Sequence, residues 1–348
     1  MGLTYRRLDP LRREIRLLEI QSARNLNDAV ECRLVTICIT DDLEYIALSS
    51  LYGDATDTDK ILVNGRPVTI TTHLAQALKH VRAVFYPTIS QRFQRKPARR
   101  PHGAPRWLRQ LFGISPGSRD GGGGDVLRPR ALRVWVDLLC VNQRDEFEKS
   151  KQLVEMRHIY RSAELVVGWL GPKSEHTDVA MATLAEIEDA MPARWGDPGD
   201  REKHPEDYSP THRWAQGITH IWSPGPDGEI PFMMPHWIGC NDFMTRQYFQ
   251  RRWILEETAM ARFPSFLIGD TIVPWKQVLR LNRMIEEFKY HPSDVFPAHL
   301  SAMIADLPLE TAHKLLDEFA KREALEDAKI LQETGRRPNS ASTRSTDN

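Results

Sequence analysis

Two apolar stretches constrain the fold of this chain most: "VWVDLLCVNQ" (134–143) and "ELVVGWLG" (164–171). Each is a run of β-branched and bulky residues, and such runs form strands buried on both faces of a sheet. Between them lies a helical pattern. Asp145, with Glu148 three residues on, makes a capping-box-like start. Leu153, Met156, Ile159, Tyr160 and Ala163 then recur at helical spacing. The spacing predicts strand–helix–strand over 132–171, long enough for a right-handed parallel crossover. The first strand carries a carboxylate, Asp137, in its middle and the amides Asn142 and Gln143 at its end. A ligand site at the carboxyl end of a parallel strand would need such groups. A polar turn capping the next helix would need them equally.

The rest of the chain fits an α/β domain. "REIRLLEI" (13–20), "CRLVTICIT" (32–40) and "EYIALSSLYGD" (44–54) read as strands. Asn64-Gly65 inside "ILVNGRPVTI" signals a two-residue hairpin turn, because both turn positions need positive φ. "THLAQALKHVR" (72–82) is an amphipathic helix with Leu74, Ala77, Leu78 and Val81 on one side. "TDVAMATLAEIEDAM" (177–191) and "CNDFMTRQYFQRRWILEETAMA" (240–261) are helices, the second with Asp242 at its N-cap. "FPSFLIGDTIVPW" (263–275) is a hairpin. The expected organisation is an N-terminal part over 1–87 and a basic, Gly/Pro-rich disordered insertion over 88–130. The rest of the domain follows over 131–280, then C-terminal helices over 281–333 and a polar tail over 334–348.

Composition removes several function classes. Lys+Arg and Asp+Glu are equal at 47 each, so no global field draws the chain to nucleic acid or to a membrane surface. No run of eighteen apolar residues is present, and the first residues lack a signal-peptide core. Cys32, Cys38, Cys140 and Cys240 form no C-x-x-C pair and sit in apolar contexts, as reduced thiols of a cytoplasmic protein do.

Candidates for chemistry are few. Phe249, Trp253 and Glu257 are spaced by four, which on a helix sets a carboxylate one turn from an indole. A partly desolvated carboxylate can stabilise developing positive charge. A solvated acid beside a core tryptophan has the same spacing. His204, His212, His220, His236 and Cys240 match no standard zinc spacing. "GGGGD" (121–125) follows no strand and fails as a dinucleotide fingerprint.

The ordered set Trp135, Asp137, Cys140, Val141, Asn142, Gln143, Glu148, Lys149, Gln152, Met156, Ile159, Tyr160, Ala163, Trp169, Leu170 and Gly171 resembles the core signature of the fungal heterokaryon incompatibility (HET) domain. "REIRLLEI", "YIALSSLYGD", "NGRPVTITTHLAQAL" and "YFQRRWILEETAMA" resemble its flanks, so the likeness spans about 13–280. Ser50 and Tyr52 stand where the family pattern has Tyr and Trp, and Glu256 stands for its Gln. The resemblance implies non-self recognition, programmed cell death, and a TIR-like, flavodoxin-like parallel sheet flanked by helices. It further implies NAD hydrolysis with Glu257 catalytic and Trp253, Asp137, Ser49 and Tyr52 near the substrate. NAD would be substrate, with no cofactor or metal. Trp135, Cys140, Asn142, Gln143, Gln152, Met156 and Tyr160 are then motif residues of structure. Self-association and other incompatibility proteins are the partners it implies. The competing expectation is a catalytically degenerate domain that serves as a signalling and oligomerisation module.

Overall fold

The computed structural model describes residues 3–40, 43–86, 132–196, 199–209, 212–221, 234–250 and 264–290. The expected insertion at 88–130, the helices beyond residue 290 and the tail lie outside them. β3 (Ile46–Ser49) is central. It runs parallel to β6 (Leu132–Trp135) on one side and to β7 (Leu165–Gly171) on the other. β7 runs parallel to β8 (Pro264–Ile268). Every residue of β7 is buried, as its uncharged run requires. In space the four parallel strands follow the order β6-β3-β7-β8. Their chain order is therefore second, first, third, fourth. That is a doubly wound arrangement with its switch between β3 and β7. The expected α/β class with a parallel sheet holds. The strand–helix–strand unit also forms, but β6 and β7 are not neighbours, because β3 fills the place between them.

Antiparallel strands extend this core on both sides. β1 (Glu14–Ile20) pairs with β6 and along its full length with β2 (Glu31–Cys38). β2 meets β4 (Thr58–Val63) in parallel, and only through Glu31 and Cys32. β4 and β5 (Arg66–Thr71) form the hairpin, with Asn64 at φ 53° and Gly65 at φ 74°. Both angles are positive, as this turn demands. β9 (Thr271–Pro274) pairs antiparallel with β8.

Helices cover both faces of the sheet. α1 (Thr72–Phe85) is capped by the Thr71 side chain, which accepts from the Leu74 amide. It buries Leu74, Ala77, Leu78 and Val81, and its His80 ring stacks 5.1 Å from Trp169 of β7. Successive strand residues face opposite ways, so Gly168 and Leu170 look to the other side. There α2 (Glu146–Ser162) sets Tyr160 edge-on to Trp135 at 5.3 Å. On that side α3 (Thr177–Ala190) and α4 (Pro235–Met244) build a second apolar cluster with Leu170 and Phe266. α5 (Trp275–Tyr290) packs on α3 and β9.

Two local expectations are corrected. β6 ends at Trp135, and Asp137–Cys140 is a helical turn rather than strand. The Cys140 amide bonds the Val136 carbonyl at 2.8 Å and the Val141 amide bonds that of Asp137 at 3.1 Å. Asp242 lies inside α4, whose first turn is set by Pro235, so it is no N-cap.

Candidate functional site

Ser49 ends β3, is 1% exposed, and stands in register with Gly168 of β7. A Cβ on Gly168 would lie 2.6 Å from the Tyr248 Oη. The absent side chain is what lets this hydroxyl descend onto the sheet, and it does so on the face that Ser49 shares. On the other flank Ala47 pairs with Trp135. Ser49 lies two residues beyond Ala47, at the end of β3, and Asp137 two beyond Trp135, in the helical turn that follows β6. Ser49 and the Tyr248 hydroxyl thus share one face beside Gly168 at the switch point between β3 and β7, the place where open α/β sheets bind ligands, while Asp137 stands one strand away, after β6.

Tyr248 belongs to a 3-10 turn, Gln247–Gln250, and packs edge-on against Phe249 and Phe266. Arg246 fastens this turn to the end of β7. Its Nη1 donates to the Leu170 carbonyl at 3.0 Å and the Pro172 carbonyl at 2.9 Å, and its Nη2 to Asp242 at 3.1 Å. The loop after Ser49 turns the other way, toward α1. There the Thr71 hydroxyl donates to the Tyr52 carbonyl at 2.5 Å, and the Tyr52 side chain is 57% exposed. Trp253 and Glu257 lie outside the described residues, in the segment that follows this turn.

The residues of the opening stretch serve the fold. The Gln143 amide donates to the Asp137 carbonyl at 2.9 Å, and Asn142 Oδ1 accepts from the Arg144 amide at 3.2 Å. Asp137 Oδ1 accepts from the Leu138 amide. Asp145 caps α2 by accepting from Phe147 and Glu148. Glu148 does not complete a capping box. Its carboxylate turns inward, accepts from the Asn142 amide at 2.8 Å, and receives both terminal nitrogens of Arg16 at 2.6 and 2.9 Å. Arg16 is 1% exposed and also donates to the Cys140 carbonyl, while the Tyr5 ring lies over its guanidinium. Burial raises the Glu148 carboxyl, but the Arg16 and Asn142 hydrogen bonds outweigh it and hold the pKa below the ordinary value. This fork ties β1 to the turn after β6 and to α2. Gln152, Met156 and Tyr160 lie on the inner side of α2, with Gln152 and Tyr160 buried and Met156 partly so.

Burial pushes the Cys140 thiol up to about 12, and those of Cys32 and Cys240 likewise, so none is poised as a nucleophile. The histidines form no common cluster, although the His220 and His236 rings meet edge-on at 5.7 Å. His204 lies near Glu206, His212 near Asp207 and His220 near Glu186, while His236 contacts Thr183. Among the described residues no three His, Cys, Asp or Glu side chains are grouped to hold a metal ion. No helix among them is long and apolar enough to cross a membrane.

Residues 125–257 match the family model described as Heterokaryon incompatibility protein (HET). That segment is similar to HET domains. Heterokaryon incompatibility protein 6, OR allele, of Neurospora crassa is 28% identical over 283 residues, which cover 77% of this chain and 35% of the relative. The chain therefore spans about a third of that relative's length. No solved structure matches. The segment that matches the HET model includes β6, α2, β7, α3 and α4, yet the strand at the middle of the sheet, β3, comes from outside it. Tyr248 escaped the sequence reading. The signal was Gly168, a glycine inside a buried strand, which marks a close approach by another group.

Proposed function

We propose that this chain is a HET-domain protein that acts in fungal non-self recognition and carries out TIR-like hydrolysis of NAD that leads to cell death. The observation supporting this reading is the approach of Tyr248 to Gly168 beside Ser49 at the switch point, from a turn that leads directly into the segment with Trp253 and Glu257. In the reaction the bond between ribose C1′ and the nicotinamide nitrogen breaks, and its electron pair leaves with nicotinamide. Water oxygen bonds to C1′ and releases a proton, giving ADP-ribose. The positive ring nitrogen is already a good leaving group, so one carboxylate facing the oxocarbenium-like transition state is sufficient machinery. Glu257 supplies it in this proposal with Trp253 in support, and Ser49, Asp137 and the Tyr248 hydroxyl hold ribose oxygens. Activity would rise with assembly.

The test is nicotinamide release from NAD by the full chain at low and high protein concentration, beside Glu257→Ala. The reading requires release that Glu257→Ala abolishes and that Tyr248→Phe weakens about tenfold, the loss of one neutral hydrogen bond. A second reading, a signalling module without turnover, is favoured by one observation. The most distinctive motif residues, from Cys140 to Glu148, are engaged by hydrogen bonds within the fold. A folded protein that releases no nicotinamide at any concentration would establish that second reading.

A further inference from the structure

The sheet has an open edge inside it. β2 pairs with β1 over its whole length, but its other side meets β4 only at Glu31 and Cys32. The hairpin then turns at Asn64-Gly65, and among the described residues no strand covers the second half of β2. The directions of the backbone groups are fixed by the bonds they make. The Ile39 amide donates to Arg13 of the β1 side, whereas the Cys32 carbonyl accepts from the Asn64 amide on the β4 side. Alternation then points the amides and carbonyls of Leu34, Thr36 and Cys38 away from β1. The Leu34 amide is taken by Asn64 Oδ1 at 3.1 Å. The Leu34 carbonyl and both backbone groups of Thr36 and Cys38 face outward.

An open edge of this composition is unusual. The two outermost strands carry prolines, Pro67 in β5 and Pro274 in β9, and β5 also begins with the exposed Arg66. Such residues keep edges from pairing. The stretch from Leu34 to Thr40, "LVTICIT", has neither proline nor charge in a chain that is 27% charged. Leu34, Val35, Ile37 and Ile39 pack on the main core yet stay only partly buried, as side chains do when one neighbouring strand is missing.

We infer that the outer edge of β2, over Leu34–Cys38, is a self-association surface that pairs antiparallel with the same edge of a second copy. The occupant follows from self-complementarity about Thr36. In a two-fold pair Thr36 faces Thr36, Leu34 faces Cys38 and Val35 faces Ile37, so no like charges meet and β-branched residues oppose each other. The outward parity also fits. The two Thr36 residues exchange both bonds, and each Cys38 amide reaches the other copy's Leu34 carbonyl. The Leu34 amide, which would otherwise meet the Cys38 carbonyl of the second copy, is held by Asn64, so that carbonyl stays with solvent. β2 ends at Cys38 and the chain turns with the Leu43 amide on the Thr40 carbonyl, so the pair is limited to the Leu34–Cys38 stretch. With five residues a side, the contact is small and its dimer concentration-dependent. The inference stands apart from the chemistry proposed above, because its readout is mass and not turnover.

The experiment is sedimentation of the full chain across a concentration series, with Thr36→Lys, Thr36→Glu and their mixture. The expected wild-type mass rises toward about twice the 40.0 kDa of the chain. Each charged variant stays monomeric with an unchanged circular dichroism spectrum, and mixing the two restores association by opposing unlike charges at the two-fold axis. A wild type that is monomeric throughout overturns the inference. So does a dimer that both charged variants preserve. A monomer whose Thr36 and Cys38 amides resist hydrogen exchange also overturns it, since another segment of the chain would then cover the edge.

Discussion

At the scale of single residues the fork between Arg16 and Glu148 decides more than any other contact described. Glu148 gathers two guanidinium bonds and one amide, and Arg16 adds carbonyls of Cys140 and Arg6. Removing one member leaves the other buried with its charge unpaired, which costs about 3–5 kcal/mol. Glu148→Gln should therefore lower the denaturant midpoint sharply at neutral pH. The pH dependence has a definite sign. The folded carboxyl titrates below its unfolded value. Its contribution is fully present above the unfolded pKa and is lost as pH falls through the folded pKa. Wild type should lose stability on acidification more steeply than Glu148→Gln, when both are followed by denaturant melts across the acid range. The paired change Arg16→Met with Glu148→Leu should recover part of the loss. A Glu148→Gln protein as stable as wild type would show that the fork contributes nothing net.

At the scale of elements, what could be read in advance depended on whether the cause was local. The hairpin at Asn64-Gly65, the stripe of α1 and the buried run of β7 were legible, because turn chemistry and periodicity are written in adjacent residues. The placement of β3 between β6 and β7 was not, because strand order is settled by pairing between distant segments. The helical turn at Asp137 looked like strand because its apolar residues are the same ones a strand would bury. At the candidate site, Ser49 and Asp137 were named through motif likeness alone, whereas the approach of Tyr248 was hidden until Gly168 showed what it accommodates. Two predictions belong here. Gly168→Ala would drive a methyl into the Tyr248 hydroxyl and the Phe266 ring, with contacts of 2.6 and 2.9 Å, and overpacking of this kind costs about 1–3 kcal/mol. Thermal melts should show that loss, and adding Tyr248→Phe should relieve part of it. A fragment limited to the matched segment 125–257 should fail to show cooperative unfolding, because without β3 its strands β6 and β7 face an empty lane of unpaired backbone. A cooperative melt from that fragment would mean that β3 is dispensable.

At the scale of the whole molecule, the open lane of β2 and the chemistry at the strand ends lie at different places on one continuous sheet. A pairing at the first therefore extends the sheet without touching the second, and it can be followed on its own. Cys38 supplies the probe. It is partly exposed, whereas Cys32, Cys140 and Cys240 are buried with thiols pushed up to about 12. A thiol reagent should thus label one group rapidly at neutral pH and the other three only on unfolding. In the two-fold pair Cys38 sits opposite Leu34 of the second copy, and its sulfur loses access. The labelling rate should fall as protein concentration rises, in proportion to the dimer fraction measured by mass. Thr36→Lys should keep the rate constant at its dilute value throughout. A rate that ignores concentration while mass shows dimers would place the contact elsewhere on the surface. A rate that follows the dimer fraction would locate the contact at β2 with no reference to any substrate, and would leave NAD turnover free to be assigned, or denied, to the monomer and the pair separately.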